Sequence, residues 1–461
     1  MDPALSLAVA AGRATAMTIR RLGRGGGTTL PGRVSAAIDG RALEKLSARL
    51  ERGSILVAGT NGKTTTATLL RTILEASGVP IVSNRAGSNL VGGLTSAIVQ
   101  GAGLSGATRA QAGVFEVDEA SLPAAVEAIA PRLVIVTNLF RDQLDRYGEL
   151  ESSSAAISAG LAALPSASSA LLCADDPRVA ALGRGLRART VFYGLEDDAA
   201  GQAEVPHAAD ARFCPFCGMP FDFERVYAGH LGHYRCPTGD FDRPAPDLRA
   251  ARIRFQGLDA QVLDADGLGF TATELAVPLS GIYNSYNILA AAGAAVLFGL
   301  PPGSVAPALR SFTPAFGRLE QVDIEGRRVR LMLAKNPAGF NEVLRASRVL
   351  GEGRKFVIAL NDRIADGRDV SWIWDVDFEL LAGADSVIVA GDRALDMRVR
   401  LKYAGIDPGL VQVAEAPGDT LDAMLASSSA GEDVFILPTY TAMLDLRAEM
   451  AARGYLQAFW K

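Results

Sequence analysis

What this 461-residue chain has little of excludes several classes of protein. Four cysteines are too few for a disulfide scaffold, and Cys214 and Cys217 are spaced for a metal rather than a bridge. Positive charge is not in excess. Lys and Arg number 46 against 51 Asp and Glu, a formal net charge of -5, which argues against broad nucleic-acid binding. A local pocket can differ from that average, so an acidic or neutral small substrate stays open. No apolar run is long enough to cross a bilayer, since residues 287–300 form an Ala- and Gly-rich stretch shorter than the about 20 residues required. The positive charges of the amino-terminal segment follow its apolar run, whereas a secretory signal places them before it, so the segment reads as a helix of the mature protein. Its Arg13, Arg20, Arg21 and Arg24 suit either anionic lipid headgroups or a solvated helix end. The cytoplasm is the expected compartment.

What is present describes a soluble multidomain protein: 49% hydrophobic and 21% charged residues, at a length that calls for two or three domains. From Gly53, "GSILVAGTNGKTTTATLLRTILEASGVPIVSN" reads as strand, glycine loop, helix and strand, the unit of a parallel sheet. "AGVFEVDEA", "PRLVIVTNLF", "SALLCADDP" and "TVFYGLE" supply further strands. Periodicity breaks over 207–246, which holds three of the four cysteines and reads as an insertion. Strand and helix alternate again through "RKFVIALND", "ADSVIVAG" and "DVFILPTY". The expected organisation is an N-terminal helical segment over 1–50, a central domain over 51–314 and a C-terminal α/β domain over 315–461.

Ligands of parallel sheets sit at the carboxyl ends of strands, which directs attention to 60–65, 116–119 and 138–145. "GTNGKTTT" places two residues between Gly59 and Gly62, where the common phosphate loop has four. As a cradle, the backbone of Gly59, Thr60, Asn61 and Gly62 would hold phosphate oxygens at the positive end of the following helix. Lys63 would reach the outer phosphates and Thr64, with Thr65 behind it, would offer a hydroxyl to Mg²⁺. Otherwise it is a glycine turn with an accidental Lys-Thr. Glu116 ends a buried strand, where a carboxylate suits a metal ion or its water. Asn138, Asp142, Gln143 and Asp145 follow the next one.

Together these residues resemble the Mur ligase superfamily, which includes folylpolyglutamate synthases and has a short G-T-x-G-K-[ST] loop. The resemblance runs on through "TNLFRDQLDRYGE", where Gln143 replaces a usual His, and through "LLCADDP", "GIYNSYNILAA" and "FGRLEQV". It implies an α/β fold with a P-loop central domain, and ATP contacts from Asn284, Asn287 and Arg318. "LAKNPAGFNE", "NDRIADGRDVSWIWDVDFE" and the cysteine insertion resemble, within it, the MurT family of amidating ligase subunits.

That resemblance implies ATP- and Mg²⁺-dependent amidation of the α-carboxylate of D-glutamate in the lipid II stem peptide, with ammonia from a GatD-like glutaminase. The chain has no glutaminase elbow of its own. An Asp of the C-terminal domain would complete the partner's catalytic unit, with Asp369 favoured over Asp366 and Asp375; otherwise these residues cap turns. The family's ribbon has four cysteines. Here Cys214, Cys217 and Cys236 remain, Gly239 stands in the fourth place, and His233, His230 or Asp240 would close a zinc site. The alternative is a metal-free ribbon held by Phe213, Phe216, Phe221 and Phe223. Two competing functions are a ligase that adds an amino acid to a carboxylate and a non-catalytic nucleotide-binding subunit.

Overall fold

A computed structural model describes residues 2–21, 29–84, 88–141, 150–206, 209–313, 318–347 and 354–456. Helices Pro3–Arg21, Leu30–Ile38 and Ala42–Ser47 come first and pack on one another.

The central sheet draws on β1 (Gly53–Ala58), β2 (Ile81–Ser83), β3 (Ala112–Glu116), β4 (Leu133–Val136), β5 (Ser169–Cys173), β6 (Arg189–Leu195), β9 (Leu248–Gln256), β10 (Ala260–Gly267) and β11 (Phe270–Val277). Its order is β11-β10-β9-β6-β5-β4-β1-β3-β2, parallel from β2 to β9, with β10 and β11 added antiparallel. The middle strands are buried on both faces, which is why they read as continuous apolar runs. Cys173 is one of these strand residues and is fully buried. Between β6 and β9 the hairpin β7 (Asp222–Ala228) and β8 (Leu231–Arg235) forms a small sheet of its own, within the insertion.

Strand order reverses around β1, whose neighbours are β3 on one side and β4 on the other. Register pairs Val57 with Glu116 and Ala58 with Val136, so three strands end together where the chain leaves β1 for the helix Lys63–Ala76. That is the switch-point crevice of an open α/β sheet.

The second sheet runs β12 (Arg318–Ile324), β13 (Arg327–Met332), β17 (Asp433–Pro438), β14 (Arg354–Ala359), β15 (Ala384–Ala390), β16 (Val411–Val413), all parallel except the β12–β13 hairpin. Among the described residues, ion pairs join it to the first unit between Arg330 and Asp259 and between Arg141 and Asp375, the latter at 3.2 Å. Beside this junction the helix Pro337–Ser347 carries Glu342, which pairs with Arg345 at 3.2 Å. Burial pushes its carboxyl up to about 7, against the lowering pull of Arg345. A carboxyl raised in the folded state favours folding while protonated. That contribution is complete below the ordinary range near 4.5 and is lost as pH rises through about 7. Glu342→Gln should flatten the fall in stability across that window, read as denaturation midpoints at a series of pH values.

Candidate active site

The loop after β1 is held from three sides. Asn138 Oδ1 accepts from Asn61 N at 2.9 Å, and its Nδ2 donates back to Asn61 O at 3.1 Å. The Thr137 hydroxyl donates to Asn61 O at 2.7 Å. Thr60 N donates to Asn138 O at 2.8 Å, and the Thr60 hydroxyl donates to Phe140 O at 3.1 Å. Gly59 and Gly62 have φ of 112° and 84°, values that L side chains rarely adopt. A Cβ on Gly62 would also strike the Asn287 carboxamide, and one on Gly59 would strike Thr137.

Asn287 lies on the buried helix Ile282–Leu297 that packs on Lys63–Ala76. Its Oδ1 accepts from the Thr66 hydroxyl at 3.2 Å, and its Nδ2 donates to Asn284 Oδ1 at 3.1 Å. Asn284 donates in turn to Ser280 O at 2.7 Å. The two asparagines thus line the back of the loop.

Lys63, 8% exposed, lies folded over the loop that precedes it. Its Nζ donates to Gly59 O at 2.5 Å and to Glu119 Oε1 at 2.7 Å. Beside it the Thr64 hydroxyl donates to Glu116 Oε2 at 2.8 Å. A cation, a hydroxyl and two carboxylates therefore meet at one helix N-terminus, and Thr65 is buried on its inner side. From the second sheet's unit, Asn336 Nδ2 donates to Asn61 Oδ1 at 2.9 Å, so both units touch the same loop.

Behind the site, two adjacent buried carboxylates organise the scaffold. Asp175 receives Tyr286 Oη at 2.7 Å, Leu195 N at 3.0 Å and the Arg243 guanidinium at 2.7 Å. Burial raises its carboxyl above the usual carboxylate range even so. Asp176 caps a short helix through Arg178 N and Val179 N and also accepts Leu139 N at 2.7 Å. His230, at the hairpin turn, stands 3.3 Å from Asp176 and packs tilted against Phe140, with centroids 4.3 Å apart. The insertion thus braces the segment on which Asn138 and Phe140 lie.

In the ribbon the Cys214, Cys217 and Cys236 sulfurs lie within 4.8 Å of one another. The Thr238 hydroxyl sits over them, 3.2 Å from Cys217 and 3.0 Å from Cys236, and donates to Asp240 at 2.6 Å. His233, expected to close the set, is not with the thiols: its Nε2 lies 2.8 Å from Leu195 O. His230 is equally removed, at Asp176. Phe221 packs with Tyr234 and the buried cysteines, whereas Phe213 is mostly exposed and Phe216, half-exposed, reaches the core only at its edge through Phe241.

Asp366 is buried and accepts Thr441 N at 2.8 Å and the Thr441 hydroxyl at 2.5 Å, so it ties two loops together. Asp369 is exposed, accepts Ser371 N at 2.8 Å, and is held below the usual carboxylate range by Ser371. Arg318 opens β12, but its side chain, like all of Asp142, Gln143 and Asp145, lies outside the described residues. Asp176 and His230 were not anticipated as supports of the site, and Glu119, inside the 116–119 segment singled out from the sequence, was given no role of its own. Glu119 lies three residues beyond Glu116, on the 3₁₀ turn that follows β3, which is the signal that could have found it.

Family models described as Mur ligase middle domain and MurT ligase C-terminal match residues 57–222 and 333–443. The MurT subunit of the lipid II isoglutaminyl synthase (glutamine-hydrolyzing) of Staphylococcus aureus strain N315 is 31% identical over 86% of this chain and 88% of its own. The chain belongs to the MurT family. The Streptococcus pneumoniae MurT subunit is 30% identical over 98% of both chains. Among solved structures, Acinetobacter baumannii MurF superposes with a TM-score of 0.67 at 15% identity, covering 91% of this chain and 80% of its own. Mycobacterium tuberculosis folylpolyglutamate synthase complexed with ADP and AMPPCP gives 0.62 at 16% identity, over 96% and 99%. At those identities the likeness shows the fold that a MurT-family chain shares with them.

Because Gly62 has neither the conformation nor the space for a side chain, Gly62→Ala should lower nucleotide affinity by about 100-fold or more and, through the same strain of about 1–3 kcal/mol, lower the melting temperature by several degrees. Titration calorimetry with ATP reads the first and thermal unfolding the second.

Proposed function

We propose that this chain is the ligase subunit of a lipid II isoglutaminyl synthase, converting the α-carboxyl of D-glutamate in the stem peptide to the amide at the expense of ATP. A carboxylate is a poor electrophile until a phosphate becomes its leaving group. The γ-phosphoryl group passes to a carboxylate oxygen, giving an acyl phosphate and ADP. Ammonia then adds to the carbonyl carbon, the C–O bond to phosphate breaks, and the nitrogen loses a proton. The observation that carries this reading is the convergence of Lys63, the Thr64–Glu116 pair and Asn336 of the second unit on one glycine loop.

Lys63 would exchange Glu119 and Gly59 O for phosphate oxygens, placing a desolvated charge beside the group in transfer. The loop amides and the helix N-terminus would hold the rest of the triphosphate, with Asn284 and Asn287 behind. Thr64 and Glu116 are the residues that would hold Mg²⁺, which supplies charge neutralisation on the phosphates when bound. Lipid II is membrane-anchored, so the protein would work at the inner face of the membrane. Among the described residues no helix is long and apolar enough to cross it.

A GatD-like glutaminase would supply the ammonia. What supports a docking surface for it is the helix Ala394–Tyr403, whose Leu395, Val399 and Tyr403 form one exposed stripe four residues apart, with Trp374 edge-on to Tyr403 at 5.5 Å. Exposed Asp369 opens the turn that carries Trp374. It is free to orient a histidine in trans, which buried Asp366 is not.

The ribbon fits zinc on three corners: three clustered thiols are a soft donor set, with the Thr238–Asp240 oxygens on the open side. Gly239 has a φ of 76° that disfavours a side chain, so Thr238→Cys, which puts a sulfur where the hydroxyl now sits over the thiols, should supply the fourth ligand and tighten metal binding, read as a slower loss of zinc to a chelator.

Mass spectrometry of the stem peptide after incubation with ATP, glutamine and the glutaminase should show the exchange of OH for NH₂. Addition of a whole amino-acid residue would contradict the proposal. Asp369→Asn should abolish amidation driven by glutamine and spare amidation driven by ammonium salts.

A further inference from the structure

Residues 3–38 contain Arg13, Arg20, Arg21, Arg24 and Arg33 and no aspartate or glutamate, in a chain whose acidic residues outnumber its basic ones. The helix Pro3–Arg21 turns Leu5, Ala8, Val9, Gly12 and Ala16 inward. A surface helix ordinarily offers polar residues to water on its other side. This one presents Leu7, Ala14 and Met17, with Thr18 beside them, its hydroxyl turned back to Ala14 O at 3.0 Å, and Arg21 at the end of the same stripe. Leu7 is 61% and Met17 52% exposed. The next helix continues the pattern, with Leu30 exposed and Arg33 exposed one turn on. Arg13 donates to Ala102 O but keeps an exposed side chain, and Arg20 and Arg21 end the helix in water.

We propose that this helical layer docks on an anionic phospholipid surface, the Leu7–Met17 face reaching the headgroup boundary and Arg13, Arg20, Arg21 and Arg33 meeting lipid phosphates. The occupant follows from the charge and the shape of the face. An acid-free, arginine-bearing helix with one apolar stripe matches a negative interface. Its small alanines make the face shallow, whereas the aromatic or arginine anchors of a protein partner call for deep, well-packed clefts. The acidic remainder of the chain would turn the rest of the molecule away from the same surface, which fixes orientation as well as affinity. The inference rests on the proposed function only for its use, since a lipid-linked acceptor cannot leave the membrane. Docking itself needs neither ATP nor glutamine, so its failure and a failure of the amidation reading are separable.

The experiment is co-sedimentation of the full chain with vesicles of phosphatidylcholine, with or without phosphatidylglycerol. We expect binding to the phosphatidylglycerol vesicles that is released by about 0.5 M salt. The double variant Arg20→Glu with Arg21→Glu should cut the partition at least fivefold per residue, on the order of what each arginine near an anionic surface contributes. Leu7→Ser with Met17→Ser should weaken it severalfold with an unchanged thermal unfolding curve. Equal sedimentation with both vesicle types, or binding indifferent to both double variants, would overturn the proposal. So would a dimer in sedimentation velocity that Leu7→Ser with Met17→Ser dissolves, because the face would then serve self-association.

Discussion

The constraint on which the site depends is the pinning of a four-residue loop by side chains that come from other strands and helices. With only two residues between its glycines, the loop cannot close a phosphate cradle through its own turns. Asn138 instead brackets Asn61 from both its amide and its carbonyl, Thr137 adds a second bond, and Asn287 closes the far side against Gly62. These partners arrive through the β1–β3 and β1–β4 registers and the buried Ala-rich helix. A one-residue slip in either register would turn the supporting residues to the opposite face of the sheet. The length of the apolar strands is thus a condition for the chemistry as much as for stability.

Charge follows the same logic. Lys63 is removed from water and matched by Glu119 and two loop carbonyls, which spares the fold an unpaired buried cation. The same partners are exchangeable, because phosphate oxygens offer the ammonium what Glu119 offers it now. The more deeply buried Asp175 differs, with Tyr286, Arg243 and a backbone amide satisfying it completely from fixed elements. Under the proposed function the first network would give way to phosphate and the second would stay. The hairpin turn at His230 leans on the second through Asp176 and so gives the ribbon a mechanical role at Phe140, whether or not metal is bound.

The loop, Thr64, Glu116 and Asn138 were legible in the sequence because each follows an apolar run, and parallel sheets gather such ends on one edge. The placement of His233 was open to the same reasoning and was misjudged. Tyr234 packs toward the cysteines with Phe221, so its strand neighbour must point to the opposite face, where it meets Leu195. Asp369 was favoured over Asp366 only for its place before Trp372 and Trp374; the burial that separates the two is set by the distant Thr441, which no local pattern shows. The contact of Asn336 with Asn61 was equally invisible, being fixed by how two sheets meet across 275 positions.

The central claim is that the cradled triphosphate activates a carboxylate as an acyl phosphate before nitrogen attacks. The most direct measurement uses stem peptide whose D-glutamyl α-carboxyl carries heavy oxygen, turned over with ATP and an ammonia source. One labelled oxygen should appear in the released inorganic phosphate for each amide formed. Amide formed with unlabelled phosphate would contradict it.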